Sequence, residues 1–519
     1  MKFTIKLFHL LGLKGKHDLG QTIRFVTFVT TLRIGYLFYF PLSLVGDESY
    51  YWEWGRQLDW GYYSKPPMIG WLMGAVHFLG ADTAPLVRLP ASLLGGGILL
   101  FTYLLGRSMF SPKVGFFAMA FLCLSPSHSV LSLVFTIDAP LLFFWSLSLL
   151  AFWKIFFENR GRRWILLLIV SLGLGNLTKQ MTLIFPLLGA IVLLIDPGKR
   201  HFLRLPTFWL GWLCTLLFLA PTLWWNQQHD WITVSHTASH LRSSSPDIGK
   251  RLSFFFEFLL AEGFIIGPVL FFASILYFLR NCSEMWKHSG KRFLLLFSFP
   301  AIALFLILSL NQRVNPNWPA VFYLPFFLLT TSHFLGDEKP FRHIAWRRFK
   351  IGNLVSCGFL NLTLYSMPFL LNALSLEGTK FDLFKRMRGY NQYAQEVMQI
   401  KEKLPNSDDI DLLVIGHRYD LCQLAFHAQG QPRVHSFPKD NLISSQYDIW
   451  SSTYSLGQRN ALLIYNISHL FPVDLDQHFA DVVHLPEQIR IPFASGKQLF
   501  FDLYYAKAKI QGESSFDNP

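Results

Sequence analysis

GDESYYWEWGRQLDWGYYSKPP, residues 46–67, follows directly on the first long apolar run of the chain. It opens with adjacent carboxylates, Asp47 and Glu48, and closes with Lys65 before a double proline. Between them stand Tyr50, Tyr51, Trp52, Trp54, Trp60, Tyr62 and Tyr63, with Trp71 just beyond. Trp and Tyr at this density suit a membrane–water interface, where the ring lies in the apolar zone and its N–H or O–H reaches water. Carboxylates beside a bilayer are costly and point by default to function. Composition alone fits equally well an interfacial helix that carries no chemistry.

The rest of the composition is that of a polytopic membrane protein. The 519 residues are 52% hydrophobic, 17% aromatic and only 15% charged, where a soluble chain carries about a quarter charged residues. The 52 Phe and 16 Trp are too many for one soluble core. The net charge of +13 does not signal nucleic acid, and no nucleic-acid partner is expected. Its Lys and Arg sit largely in short loops between apolar runs, where basic residues fix orientation. Cys123, Cys214, Cys282, Cys357 and Cys422 are far apart, without CxxC or metal spacing, so no disulfide framework is expected. Lys2, Lys6, Lys14 and Lys16 precede the first apolar run, and no small-residue cleavage site follows it. That run reads as an uncleaved signal-anchor.

Crossing a bilayer takes about 20 apolar residues, or somewhat fewer where flanking groups snorkel. About eleven candidate spans follow, with 11–13 as the range. They lie near 25–45, 86–105, 114–135, 139–157, 164–177, 181–195, 208–225, 252–279, 293–310, 318–335 and 351–371. With a cytoplasmic N-terminus, every inner loop carries Lys or Arg. Three of these loops carry clusters: Arg160/Arg162/Arg163, Lys199/Arg200/Arg204 and Arg342/Arg347/Arg348/Lys350. The opposite loops are poorer in basic residues and hold Asp47, Glu48 and Asp138. The last span then runs outward and leaves the tail outside.

From about residue 372 charges become frequent and long apolar runs stop. Residues 390–404 read as an amphipathic helix. DLLVIG (411–416), ALLIYNI (461–467) and QLFFDLYY (498–505) read as strands, and 418–428 as a helix between strands. The expectation is two domains, 1–371 in the membrane and 372–519 as a small soluble α/β unit with its own core. Asn466-Ile-Ser468 is a glycosylation sequon by pattern, but it falls on a buried-looking strand.

The outer-side polar residues converge. Asp47 and Glu48 end the first span, Lys65 lies in the first outer loop, and Arg88 opens the second span. Asp138 opens the fourth, Lys179 lies between the fifth and sixth, and Arg313, Asn315, Asn317 and Trp318 precede the tenth. This assembles carboxylates for base chemistry and cations for an anion at headgroup depth. Taken singly, Arg88 and Lys179 also fit snorkelling residues at helix ends.

DESYYWEWGRQLDWGYYSKPPMIGWL, TIDAPLLFFW, GLGNLTKQ and NPNWPA together resemble the bacterial branch of the dolichyl-phosphate-mannose protein mannosyltransferase family, glycosyltransferase family 39. The chain is also similar to the aminoarabinose transferase that modifies lipid A. RYDLCQLAFHAQGQPRVHSF and SQYDIW look like the soluble tail of bacterial members. The resemblance implies a membrane all-α GT-C fold with outer juxtamembrane helices. It implies a sugar donor on a polyprenyl monophosphate and an envelope acceptor: lipopolysaccharide, lipid A or another glycan, less so a protein. Residue by residue, Asp47 matches the proposed base and Asp138 the second acidic position. Tyr62 and Lys65 match the pair that handles the donor phosphate. The aminoarabinose transferase has a carboxylate before that lysine, where this chain has Ser64, so a metal site built on it is in doubt.

The expected site therefore has Asp47, Glu48 and Asp138 as its acids. Tyr62, Lys65, Arg88, Lys179 and Arg313 meet the donor phosphate, and Asn317 and Trp318 contact the acceptor or headgroup. Such a transfer needs a base at the acceptor and neutralisation of the leaving phosphate. A monophosphate carries less charge than a nucleotide diphosphate, so no metal or other cofactor is expected. His236 and His240 stand four apart with His229 nearby, but no carboxylate is in register with them, and Ser243–Pro246 reads as a mobile loop. The expected setting is a bacterial inner membrane, multi-pass, with a periplasmic tail and membrane lipids as partners. A lipid-linked sugar flippase would place ionisable residues nearer the bilayer midplane; Arg33, inside the first span, is the residue here that does so. A non-catalytic envelope assembly factor on the same scaffold is the third reading.

Overall fold

The structure, a computed structural model, describes residues 17–80, 82–239, 247–335, 340–377, 379, 381–437, 443–451, 454–472, 475–492 and 498–509. Through Ala373 the described chain is helical, and a five-stranded sheet follows. Four helices are long and apolar enough to cross a membrane, or up to six if each bent pair is one span. Shorter apolar helices, Met68–Phe78, Pro112–Leu124, Gln180–Ile195 and Ala320–Leu335, pack among them. The chain is thus a multi-pass membrane protein with a small sheet domain.

Local sequence explains why several apolar runs do not become single helices. The run at 252–279 divides into Ile248–Ile266 and Pro268–Lys287, which meet at 111°. Gly267 takes a φ of +111°, and Pro268 starts the second helix without needing an N–H partner. The run at 114–135 ends its first helix at Leu124, and Ser125 then caps Pro126–Leu131 by accepting from the His128 amide. Arg33 does not reach solvent. Its guanidinium is buried and donates to the Cys123 carbonyl and the Ser132 hydroxyl, with the His128 ring at 3.1 Å.

In the sheet, order β2-β1-β3-β5-β4, β1 (Asp411–Ile415) pairs parallel with β2 (Val434–Ser436) and β3 (Ala461–Asn466). β5 (Gln498–Lys507) runs antiparallel to β3 and to β4 (Asp481–Pro492). Helix Arg418–His427 follows β1, and helix Tyr390–Glu402 precedes it. The three strands and two helices read from sequence all form; β2 and β4 are additional. The Asn466 side chain is buried and donates to Asp420, which removes the sequon from consideration as an acceptor.

The opening stretch folds differently from an aromatic belt. Helix Gly46–Arg56 begins with Asp47 and Glu48 in its first turn, where carboxylates complement the helix dipole. Tyr50, Trp52, Trp54 and Tyr62 are buried, and they share one apolar core with Leu421, Leu424 and Ile464 of the sheet domain. They face protein rather than lipid headgroups because the sheet domain docks onto this helix; Trp60, 49% exposed, is the exception. Polar contacts pin the docking. Gln423 donates to the Leu44 carbonyl, the Gln446 amide donates to the Tyr50 hydroxyl, and the Gln446 side-chain carbonyl accepts from the Tyr63 amide.

Candidate functional site

Three elements bring the site together. Helix Gly46–Arg56 carries Asp47 on its first turn. The following loop makes a tight bridge in which Tyr62 and Lys65 exchange backbone hydrogen bonds at 3.1 and 3.3 Å. That bridge is held by the Thr233 hydroxyl on the Tyr62 carbonyl and, through Pro66-Pro67, by the Met68 amide on the Leu177 carbonyl. Helix Asp138–Phe156 starts at Asp138, whose carboxylate accepts from Lys179 at 3.0 Å and from Asn317 at 2.6 Å. Lys65 feels the charges of Lys179, Asp47, Asp138 and Arg418.

Burial lowers the Lys65 ammonium to about 8, and the like charge of Lys179 pushes the same way, while Asp47 and Asp138 oppose them. The lysine is charged at neutral pH and loses its proton as pH rises through about 8. Binding of a phosphate anion is therefore expected to weaken above that pH. Lys65→Arg, charged to beyond pH ~12, is expected to flatten the dependence. Titrating polyprenyl phosphate into the purified protein between pH ~7 and ~9.5 checks this. An affinity that stays level in the wild type would take Lys65 out of the anion site.

Two residues that the sequence reading left without a role complete the cluster. The Tyr419 hydroxyl donates to Asp47 Oδ1 at 2.8 Å. Burial and the Asp47 charge raise its phenol pKa, so it keeps its proton and serves as a donor. The Arg418 guanidinium lies over the rings of Tyr50 and Tyr419 at 5.4 and 5.0 Å. Both residues open the helix after β1. A signal existed: RYD follows a parallel strand, and open α/β sheets place ligands beyond the carboxyl ends of such strands.

The other expected site residues take the following places. Glu48 is fully buried and joined to Arg88, with Nη2–Oε2 at 2.8 Å and Nε within 3.0 and 3.1 Å of the two oxygens. Glu48 also accepts from the Val45 and Phe135 amides, and Arg88 donates to the Leu42 and Ser43 carbonyls. Both groups are engaged in tying loops together. The Tyr62 ring stacks on Trp54 at 4.3 Å, and its hydroxyl donates to the Trp54 carbonyl and accepts from the Asp59 amide, so it supports the Lys65 turn from beneath. Arg313 is 72% exposed and ion-paired with Glu257. Trp318 packs beside Phe305. His236 rests against Tyr63, and His229 stacks on Trp225; His240 lies outside the described residues. Among the described residues, no three His, Cys, Asp or Glu are grouped to hold a metal ion.

An apolar cavity of about 390 Å³ adjoins the cluster. Ile98, Leu131, Leu142, Tyr323 and Phe327 line it, and Asn317, the partner of Asp138, stands in its wall. The site thus joins a carboxylate, a partly buried lysine and a lysine–carboxylate pair to an apolar chamber.

The sequence and the fold have counterparts. The family described as dolichyl-phosphate-mannose-protein mannosyltransferase matches residues 64–225. Crystal structures of ArnT from Cupriavidus metallidurans, bound to undecaprenyl phosphate and in the apo state, align with TM-scores of 0.60 and 0.59. They cover 92% of this chain and 97% of theirs, at 15% and 16% identity. The chain shares the fold of these structures. Lipid A galacturonosyltransferase RgtD of Rhizobium johnstonii is 30% identical over 282 residues, which are 54% of this chain and 58% of that protein. The match thus spans little more than half of either chain.

Proposed function

We propose that this chain transfers a sugar from a polyprenyl-phosphate donor to lipid A or a related envelope glycan, at the periplasmic face of a bacterial inner membrane. The observation that carries the reading is the convergence of Asp47, Lys65 and the Asp138–Lys179 pair beside an apolar cavity. The cavity suits isoprenoid units, and Lys65 suits the phosphate that joins them to the sugar. The acceptor O–H attacks the anomeric carbon as the bond from that carbon to the phosphate oxygen breaks. Asp47 takes the acceptor proton, and polyprenyl phosphate leaves with its negative charge neutralised by Lys65. Direct displacement inverts the anomeric centre, and the charge of a monophosphate leaving group does not require a metal. About eleven crossings, a membrane unit over 1–371 and a periplasmic unit over 372–519 complete the proposal.

The relative named for lipid A galacturonosyl transfer supports the acceptor, and a hexuronate as the sugar. The neighbour solved with undecaprenyl phosphate supports the donor class. The test is the purified protein in nanodiscs with polyprenyl-phosphate hexuronate and lipid A, read by mass spectrometry. Lipid A heavier by one hexuronate residue is expected in the wild type and not in Lys65→Ala. Unmodified lipid A in both would refute the reading.

A further inference from the structure

We propose that Arg418, delivered by the soluble domain, reads the carboxylate of the transferred sugar and so sets donor specificity. The assignment rests on the glycosyl-transfer reading above and adds to it a residue and a task. Three observations carry it.

The first is charge. Lys179 is matched to Asp138. That leaves Lys65 and Arg418 as two cations around one carboxylate, Asp47. The donor phosphate answers one of them. The other calls for a second anionic group on the bound substrate, since a partly buried charge gains most from a charged, hydrogen-bonding partner.

The second is the state of the guanidinium. No carboxylate is ion-paired with Arg418 among the described residues; its Nη2 approaches the Tyr419 hydroxyl at 3.5 Å, and its Nε is buried without a hydrogen-bond partner. A buried donor left unmet is costly unless a ligand meets it. Tyr50 and Tyr419 hold the plane by its faces. The Nε–H is left unmet, and Nε–H with a neighbouring Nη–H forms the fork that matches a carboxylate in two parallel hydrogen bonds.

The third is position. Arg418 Nη2 touches the Tyr419 hydroxyl, which itself donates to Asp47. A group held by Arg418 therefore lies one side chain from the base, on the side of the soluble domain. The transferred sugar occupies that distance, between base and phosphate, whereas the isoprenoid tail lies in the cavity beside Asn317.

The experiment compares Arg418→Gln and Arg418→Lys with wild type in nanodiscs. Three probes are used: polyprenyl phosphate without sugar, polyprenyl-phosphate hexuronate, and the matching neutral hexose donor. Arg418→Gln is expected to bind bare polyprenyl phosphate within about twofold of wild type. Its preference for the acidic over the neutral donor, as the ratio of kcat/KM values, is expected to fall at least about tenfold. Arg418→Lys keeps charge but not the fork and is expected to fall between the two. Should Arg418→Gln misfold, by its thermal unfolding, the lysine variant carries the test alone. Loss of bare polyprenyl-phosphate binding would reassign Arg418 to the phosphate and overturn the proposal. An unchanged donor preference would overturn it as well, leaving glycosyl transfer standing. A wild type that uses neither donor would bring down the transfer reading and this one together.

Discussion

Asp47→Asn is expected to cut single-turnover sugar transfer by about a hundredfold or more while donor binding and folding survive. Asn keeps the size of the side chain, and its carbonyl can still accept from Tyr419, whose hydroxyl stands 2.8 Å from Oδ1. What it loses is the ability to take the acceptor proton. Asp138 is a weaker candidate because both of its oxygens are engaged, by Lys179 and by Asn317. Tyr419→Phe should be milder than Asp47→Asn, since it removes a hydrogen bond that aims the base and leaves the base itself. Rapid mixing of enzyme with preloaded donor and excess acceptor, with quenched samples read by mass spectrometry, measures the step. Near-normal transfer by Asp47→Asn would move the base to Asp138.

The meeting of Asp138 with Lys179 and Asn317 was legible because topology alone puts distant residues on one face. Asp138, Lys179 and Asn317 lie far apart in sequence and meet within hydrogen-bonding distance. The same logic could not separate Asp47 from Glu48. Neighbours on a helix point about 100° apart, and no pattern in the sequence says which direction faces Tyr419 and which faces Arg88. Arg313 was expected on the same side but lies exposed on Glu257, because sidedness fixes depth and not direction. The aromatic run was misread for a related reason. Trp and Tyr serve a lipid interface and a domain interface with the same amphipathic chemistry. Which one they meet depends on a soluble domain whose Tyr419 is 372 residues from Asp47. Periodicity is local, and the two helices and three strands read from it beyond residue 372 form. Docking is not local, and the residues it contributes, Arg418 and Tyr419, stayed without a role.

Truncating Glu48 to Ala is expected to cost about 3–5 kcal/mol of stability, the largest loss of any single change considered. The carboxylate is fully buried and receives Arg88 together with the Val45 and Phe135 amides. Removing it strands a buried guanidinium and two backbone donors, each without water to replace the lost partner. The consequence reaches the site through geometry. Val45 precedes helix Gly46–Arg56, and Phe135 lies three residues before Asp138, so Glu48 is the clasp that keeps the two site carboxylates in register. Glu48→Gln should be less damaging, since an amide oxygen still accepts while the Arg88 charge goes unmatched. Pairing Glu48→Gln with Arg88→Met should recover part of the loss, because the stranded charge is then gone. Thermal unfolding in detergent, alongside transfer activity per folded molecule, separates the two roles open to this residue. A structural clasp lowers the unfolding temperature in the order Ala, Gln, double variant, and leaves activity per folded molecule within a few fold. A Glu48→Gln protein that melts like wild type but transfers no sugar would return Glu48 to the chemistry.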